Sequence, residues 1–202
     1  MKPTTTRGWG PAGGRYNEPE MDGVPQRFRT TRLAAEPIGT SHFVELAEMN
    51  RDERVMEWLG GTAADPDETR AWIDQKAAHW RRYGFGVWVL DDAQTGAFVG
   101  RAGLQHTDVQ GVDEVELLYA LRPEFWGRGL ATEAGAALLG IAFSVASLPS
   151  VVAYTLPHNA RSRRVMEKLG FTYEREFTHE DRTHVLYRVT AAQARTTAVA
   201  IA

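Results

Sequence analysis

The sequence predicts a mixed α/β (α+β) domain, a mostly antiparallel sheet flanked by helices and containing one parallel strand–helix–strand unit. Three observations lead there. Between residues 85 and 121, alternating and β-branched runs are separated by Gly- and Asp-bearing turns, the pattern of an antiparallel meander. Leu130, Ala134, Leu138 and Ile141 then recur at helical spacing and are followed by another β-rich run at 150–154, so the crossover must join parallel strands. With 202 residues, the chain holds one substantial core and at most a tail beside it.

The elements follow in order. Residues 32–37 read as a short first strand. Thr40 or Ser41 is placed to cap a helix through about Met49, and residues 54–59 form a further helical piece ended by Gly60 and Gly61. Asp65-Pro66-Asp67-Glu68 is a strong helix start: Asp65 can accept the N3 amide, Pro66 suits N1, and Glu68 can reach back in a capping box. The helix carries Trp72, Ile73, Ala77, Trp80 and Tyr83 on one face, fit for a core, and Gly84 stops it. Strands at 85–91, 97–105 and 112–121 make the meander. After the crossover, Asn159 caps a helix closed by Gly170 as C′, with Phe171 packing back on Met166. Residues 171–177 and 184–189 form a closing hairpin around His179-Glu180-Asp181-Arg182.

Outside this pattern lie residues 1–26, rich in Pro and Gly and expected to be a mobile leader, and residues 191–202, expected to be a peripheral tail. The domain proper is expected over 27–190. A net charge of −3 gives no electrostatic case for nucleic acid or an anionic membrane. The absence of cysteine removes thiolate catalysis and Cys-type zinc sites, and the six histidines show no metal-ligand spacing. No apolar run is long enough for a membrane span, so a cytoplasmic location is the expectation.

The stretch 115–143 carries the chemistry. It runs from a strand through Trp126-Gly127-Arg128-Gly129-Leu130-Ala131 into a helix, a turn that aims backbone N–H groups and the positive end of the helix dipole at one point outside the chain. Gly127 and Gly129 allow close backbone approach, and Ala131 keeps the first helical turn free of bulk. The letters exclude a P-loop, which needs a Gly-Lys-Ser/Thr ending, and the dinucleotide fingerprint, because Thr132 stands where a third glycine is required. A pyrophosphate-bearing ligand of another kind is expected.

Two motifs together carry a resemblance. Trp126–Ala131 resembles the acyl-coenzyme-A loop of the GNAT family of N-acetyltransferases, with Gly129 and Ala131 in its two small positions and Trp126 in place of Gln or Arg, as in the RimJ/RimL-like branch. Asn159, Ser162, Val165, Leu169, Gly170 and Phe171 match the later GNAT signature, and the likeness extends over about 27–190. It implies the GNAT acyl-CoA N-acyltransferase fold, with two parallel central strands splayed apart at one end. It also implies acetyl-CoA as co-substrate and no metal. The thioester would lie against strand backbone at Leu118, Tyr119, Ala120 and Leu121. The diphosphate would lie on Trp126, Gly127, Arg128, Gly129, Leu130, Ala131 and Thr132, with Asn159 and Ser162 beside the cofactor.

Acetyl transfer to an amine needs a base for the amine and a proton for the departing thiolate. Glu116, on the strand expected to bind the thioester, is the first candidate base, since burial would raise its pKa to a useful value; the alternative is that it only holds a neighbouring group. Glu114 should be solvated, and Glu133 should be a dipole-favoured structural acid. Many family members place a tyrosine seven positions after the motif asparagine; here Met166 stands there and cannot donate. Ser162 is the first candidate acid and Tyr119 another, each with a structural alternative. The implied acceptor is a primary amine, either a protein N-terminus or a small molecule, approached by 57–61, 80–88 and 179–181. The acidic turn mildly favours a cationic acceptor. A second reading is a catalytically weak CoA-binding sensor or partner-binding module. A homodimer is left open.

Overall fold

The computed structural model describes residues 23–59 and 65–194. The expected leader, apart from residues 23–26, lies outside these, as do Gly60, Gly61 and most of the expected tail. An eight-stranded sheet runs in the order β1-β2-β3-β4-β5-β6-β8-β7. Its strands are β1 (Phe28–Arg29), β2 (Leu33–Pro37), β3 (Val87–Asp92), β4 (Phe98–Val109), β5 (Val112–Leu121), β6 (Ser150–Thr155), β7 (Thr172–His179) and β8 (Arg182–Thr190). Every neighbouring pair is antiparallel except β5 with β6, so the mixed fold class expected from the sequence is what the chain adopts. Helices α1 (Phe43–Arg51), α2 (Glu53–Met56) and α3 (Pro66–Tyr83) join β2 to β3. Helix α4 (Leu130–Gly140) joins β5 to β6, and α5 (Ala160–Lys168) joins β6 to β7.

Local chemistry explains most boundaries. The Asp65 carboxylate accepts from the Asp67 and Glu68 amides at 2.8 Å and Glu68 returns to the Asp65 amide at 2.9 Å, the reciprocal box expected for α3. Gly84 closes the helix at φ 69°. After α5, the Phe171 amide bonds the Met166 carbonyl at 3.0 Å and Gly170 stands at φ 85°, a Schellman ending. The expected cap of α1 is different. Gly39 heads a 3₁₀ turn, Thr40–His42, and the His42 imidazole Nδ1, not a Thr40 or Ser41 hydroxyl, accepts the Gly39 amide at 3.2 Å. The ring can do this because its other nitrogen donates to Glu36 at 2.9 Å, which fixes the tautomer.

Both late hairpins are tighter than expected. Gln110 (φ 56°) and Gly111 (φ 86°) form a two-residue turn, as do Glu180 (φ 48°) and Asp181 (φ 58°), and the flanking strands lengthen accordingly. Helix α4 runs into a π-helical turn, Ile141–Val145, for which the apolar spacing gave no signal.

The sheet separates two cores. Leu130, Ala134 and Leu138 of α4 and Met166 of α5 pack on Val115, Leu117 and Leu121 of β5. On the other face Leu46 and Met49 of α1, Val55 of α2 and Ile73 of α3 pack with Val87, Val89 and Ala120. Trp88 is fully buried and gives its indole N–H to Gln26, while Trp80 donates to the Val87 carbonyl at 2.8 Å, so both are core residues. Trp88, having no exposed surface, offers none of the acceptor contacts expected of 80–88.

Gly103 is where β4 and β3 come too close for a side chain: a Cβ there would stand 2.6 Å from the Gly86 carbonyl oxygen and the Val87 Cα. Backbone cannot yield as a flexible side chain would. Gly103→Ala is expected to cost about 1–3 kcal/mol and to lower the melting temperature by roughly 3–10 °C in a calorimetric scan. An unchanged melt would mean the strands part freely.

Candidate active site

β4 and β5 pair continuously from Gly100↔Leu121 to Val109↔Val112, but β5 and β6 share a single bridged pair, Glu116↔Val152. Beyond it the β6-facing edge of β5, residues 117–121, has no strand partner among the described residues. The two parallel strands therefore fork, with Glu116 at the branch point. One carbonyl near the tip is already taken: Trp126 Nε1 donates to the Leu121 oxygen at 2.7 Å, folding the indole back over the strand end. On the closed side Arg188 of β8 holds Glu114 at 2.7 and 3.0 Å and Ser150 Oγ at 3.1 Å. Glu114 is thus paired across the sheet and only 16 % exposed, not solvated as its loop-side position suggested. The reason is topological, because the fork brings β8 alongside.

At the fork's open end the glycine turn takes the expected shape. Gly127 (φ 74°) and Gly129 (φ 76°) are both left-handed, and α4 begins with no side-chain cap. Among the described residues the amides of Gly127, Arg128, Gly129, Leu130, Ala131 and Thr132 have no protein acceptor, and a Cβ built on Gly127 would meet nothing within 4 Å. Uncapped amides beside open space at a helix N-terminus fit a phosphate group.

The turn is braced from behind. Arg32 donates to the Arg128 carbonyl at 2.8 Å and to Glu133 at 2.6 Å, and Glu133 also accepts from Thr30 Oγ1 and the Arg32 amide. Burial works against the Glu133 charge, but the bonds from Thr30 and Arg32 outweigh it and hold its pKa below the usual 4.5. The structural role expected for Glu133 is what the geometry has. A lowered folded-state pKa contributes stability above the unfolded value that is lost as pH falls through the folded one. Glu133→Gln is therefore expected to melt below wild type at pH 7, with the gap closing as pH falls below 4.5; a gap independent of pH would refute the linkage.

Side chains alternate along β5, so its two faces carry different groups. On the face covered by α1 and α3, Glu116 is 6 % exposed, and its carboxylate accepts from Gln105 Nε2 at 2.9 Å. Gln105 in turn accepts from Lys76 Nζ at 2.7 Å, and the Tyr154 hydroxyl reaches Glu116 from β6. Burial dominates and raises the Glu116 pKa despite these partners. On the opposite face, the Tyr119 hydroxyl stands 2.9 Å from Ser162 Oγ, with its own pKa pushed up to about 12 by burial. Asn159 caps α5 by accepting the Ser162 amide at 3.1 Å and donates to Thr155 Oγ1 at 3.0 Å.

The candidate residues thus converge on one fork: Glu116 below it, the hydroxyl pair of Tyr119 and Ser162 on the far side, and the free amides at its mouth. Glu57 and Trp58 line a hollow with Arg54, Trp126, His158 and Asn159, where the Trp58 and His158 rings lie 5.6 Å apart. Glu180 and Asp181 are exposed at the hairpin tip. Sequence reasoning missed Lys76, Gln105 and Tyr154. One signal was there: counting back from the two-residue turn at Gln110-Gly111 pairs Gln105 with Glu116.

Residues 32–172 match the acetyltransferase (GNAT) domain model. The crystal structure of an acetyltransferase from Agrobacterium tumefaciens str. C58 is 30% identical, with a TM-score of 0.72 over 87% of this chain and 99% of that one. The Bacillus subtilis protein YkkB, described as uncharacterized, is 31% identical over 124 residues, 61% of this chain and 72% of its own length. The Aspergillus fumigatus FsC-acetyl coenzyme A-N(2)-transacetylase is 29% identical over 160 residues, 74% of this chain and 66% of its own length. With the family model covering most of the chain, and a forked sheet and free-amide turn to match, this protein belongs to the GNAT acetyltransferase domain family and is an acetyltransferase.

Proposed function

We propose that this acetyltransferase is a RimJ/RimL-like N-acetyltransferase that moves the acetyl group of acetyl-CoA directly to a primary amine, both being bound in one groove. The observation that carries this reading is a buried carboxyl, Glu116, at the single bridge between β5 and β6, where the β5 edge opens toward a turn of unpartnered amides. Acetyl-CoA, when bound, supplies an acyl group already activated as a thioester. The amides of residues 127–132 would hold its diphosphate, with Trp126 at the strand end. The β5 edge at Leu118, Tyr119, Ala120 and Leu121 would align the thioester, flanked by Asn159 and Ser162.

In this reading Glu116 takes the proton of the incoming ammonium group at its carboxylate, directly or through one water. Its raised pKa suits a base, because a carboxylate at its ordinary 4.5 is a weak acceptor at neutral pH. Gln105 and Lys76 fix its orientation. Ser162 Oγ, hydrogen-bonded to Tyr119, is placed to release a proton on the other face of the strand, the task that Met166 cannot perform. Holding both reactants in line supplies roughly 7–11 kcal/mol in favourable cases, so modest acid–base help is enough. The Aspergillus relative, named for acetyl coenzyme A and an N(2) acceptor, supports the same reaction class.

Thiol release from acetyl-CoA in the presence of a panel of amines, peptide N-termini included, tests the reading. Stimulation by at least one amine is expected. If none stimulates release while calorimetry shows tight CoA binding, a CoA-binding module without turnover is what remains.

A further inference from the structure

On the face of β4 that carries Gln105, four residues away and roughly 13 Å along the strand, stands Arg101. It is only 7 % exposed. Nη1 donates to Asn50 Oδ1 at 3.0 Å, and the guanidinium lies 4.0 Å over the Trp72 ring. One helical turn beyond Trp72 on α3 is Lys76, which donates to Gln105. Among the described residues, seven arginines lie within ion-pair distance of a carboxylate on the outer surface and at the fork's base, but neither Arg101 nor Lys76 does. A guanidinium has five N–H groups, and this one spends a single bond on the protein. Tying α1 and α3 to the sheet explains that bond, not the choice of a cation. Burying Arg101 near the half-buried Lys76 is unfavourable unless an anion joins them. Glu116, the carboxyl nearest to hand, is within ion-pair distance of neither and accepts from Gln105 instead.

We infer that the amine acceptor carries an anionic oxyacid group, a carboxylate in an amino-acid-like molecule, held between Lys76 and Arg101 while its amine faces Glu116. This rests on the acetyl-transfer reading and names its substrate class. It also reverses the expectation drawn from the acidic turn: Glu180 and Asp181 are exposed at the hairpin tip, whereas Lys76 and Arg101 lie on the Glu116 side of the sheet. A short molecule bearing both groups would pair its anion with both cations and present its amine to Glu116.

Matched pairs test it: ornithine against putrescine, lysine against cadaverine, and tyrosine against tyramine, with a neutral peptide N-terminus as a further acceptor. Two readouts are needed, kcat/KM from thiol release and calorimetric binding of each amine in the presence of CoA. At least a tenfold preference for the carboxylated member is expected in the better pairs. Arg101→Met and Lys76→Met should each shrink that preference fivefold or more, Arg101→Met mainly by raising KM for the carboxylated amine, Lys76→Met with an added fall in kcat for both members, because Lys76 also orients Glu116 through Gln105. A wild-type preference for the decarboxylated amine or the peptide overturns the inference. So does an Arg101→Met variant that weakens both members of a pair alike. If Arg101→Met fails to fold, Lys76→Met decides. If no amine is acetylated although CoA binds, the transfer reading falls. Calorimetry then still judges the anion site: preferential binding of carboxylated amines upholds it, and equal binding overturns it.

Discussion

Glu116→Gln is expected to lower kcat/KM by roughly 10²–10³, within the range general bases supply, while CoA affinity stays within a factor of a few. The substitution keeps the shape of the side chain, and the oxygen of the new amide can still accept from Gln105 Nε2, so only the ability to take a proton is removed. In the wild type, log kcat/KM should climb with pH through the raised Glu116 ionisation and again as the acceptor amine deprotonates; in the variant the first limb disappears. Stability gives an independent check. A carboxyl whose folded pKa is raised contributes stability that is complete below the unfolded value, near 4.5, and lost as pH rises through the folded one. The variant never meets that loss. Its melting temperature should therefore gain on wild type as pH rises above 4.5. A gap running the other way would mean that Gln105, Lys76 and Tyr154 favour the charge more than burial opposes it, making Glu116 a structural anion. The base assignment would not survive such a result.

What could be read from the sequence was what local chemistry decides. The capping box at Asp65 and the glycine ending at Gly170 depend on residues a few positions apart, and each has the expected geometry; the turn through Gly127 and Gly129 is as local, and both glycines are left-handed. The meander and the crossover followed from periodicity and chain length. The fork did not, because a strand that pairs at one residue and then diverges has the same alternation as one that pairs throughout. Only the family resemblance suggested it. The site's inner contacts were hidden for a different reason. Lys76 with Gln105, Tyr119 with Ser162 and Glu114 with Arg188 are separated by 29, 43 and 74 residues, and nothing in a polar residue's own neighbours announces such a partner. Tyr119 is instructive. A tyrosine on a strand is equally at home facing solvent, and here it turns inward because α5 offers Ser162 above the same face of the sheet.

Gly127→Asp is expected to weaken acetyl-CoA binding about a hundredfold, and comparison with Gly127→Asn isolates the cause. Both residues tolerate the left-handed backbone that Gly127 adopts at φ 74°, and the open space around its Cβ accepts either side chain. The pair therefore shares the cost of a side chain and differs in one charge. A carboxylate about 5 Å from a phosphate charge, in a medium of effective dielectric about 20, is opposed by about 3 kcal/mol. The aspartate should lose that much more than the asparagine at low ionic strength, and the difference should narrow toward 1 M salt, where the screening length falls to about 3 Å. Folding should not suffer in proportion, since a negative charge near the start of α4 is favoured by the helix dipole and unopposed when no diphosphate is bound. Equal losses for the two variants, or a difference that ignores salt, would place the diphosphate elsewhere. The six free amides between Gly127 and Thr132 would then need another occupant.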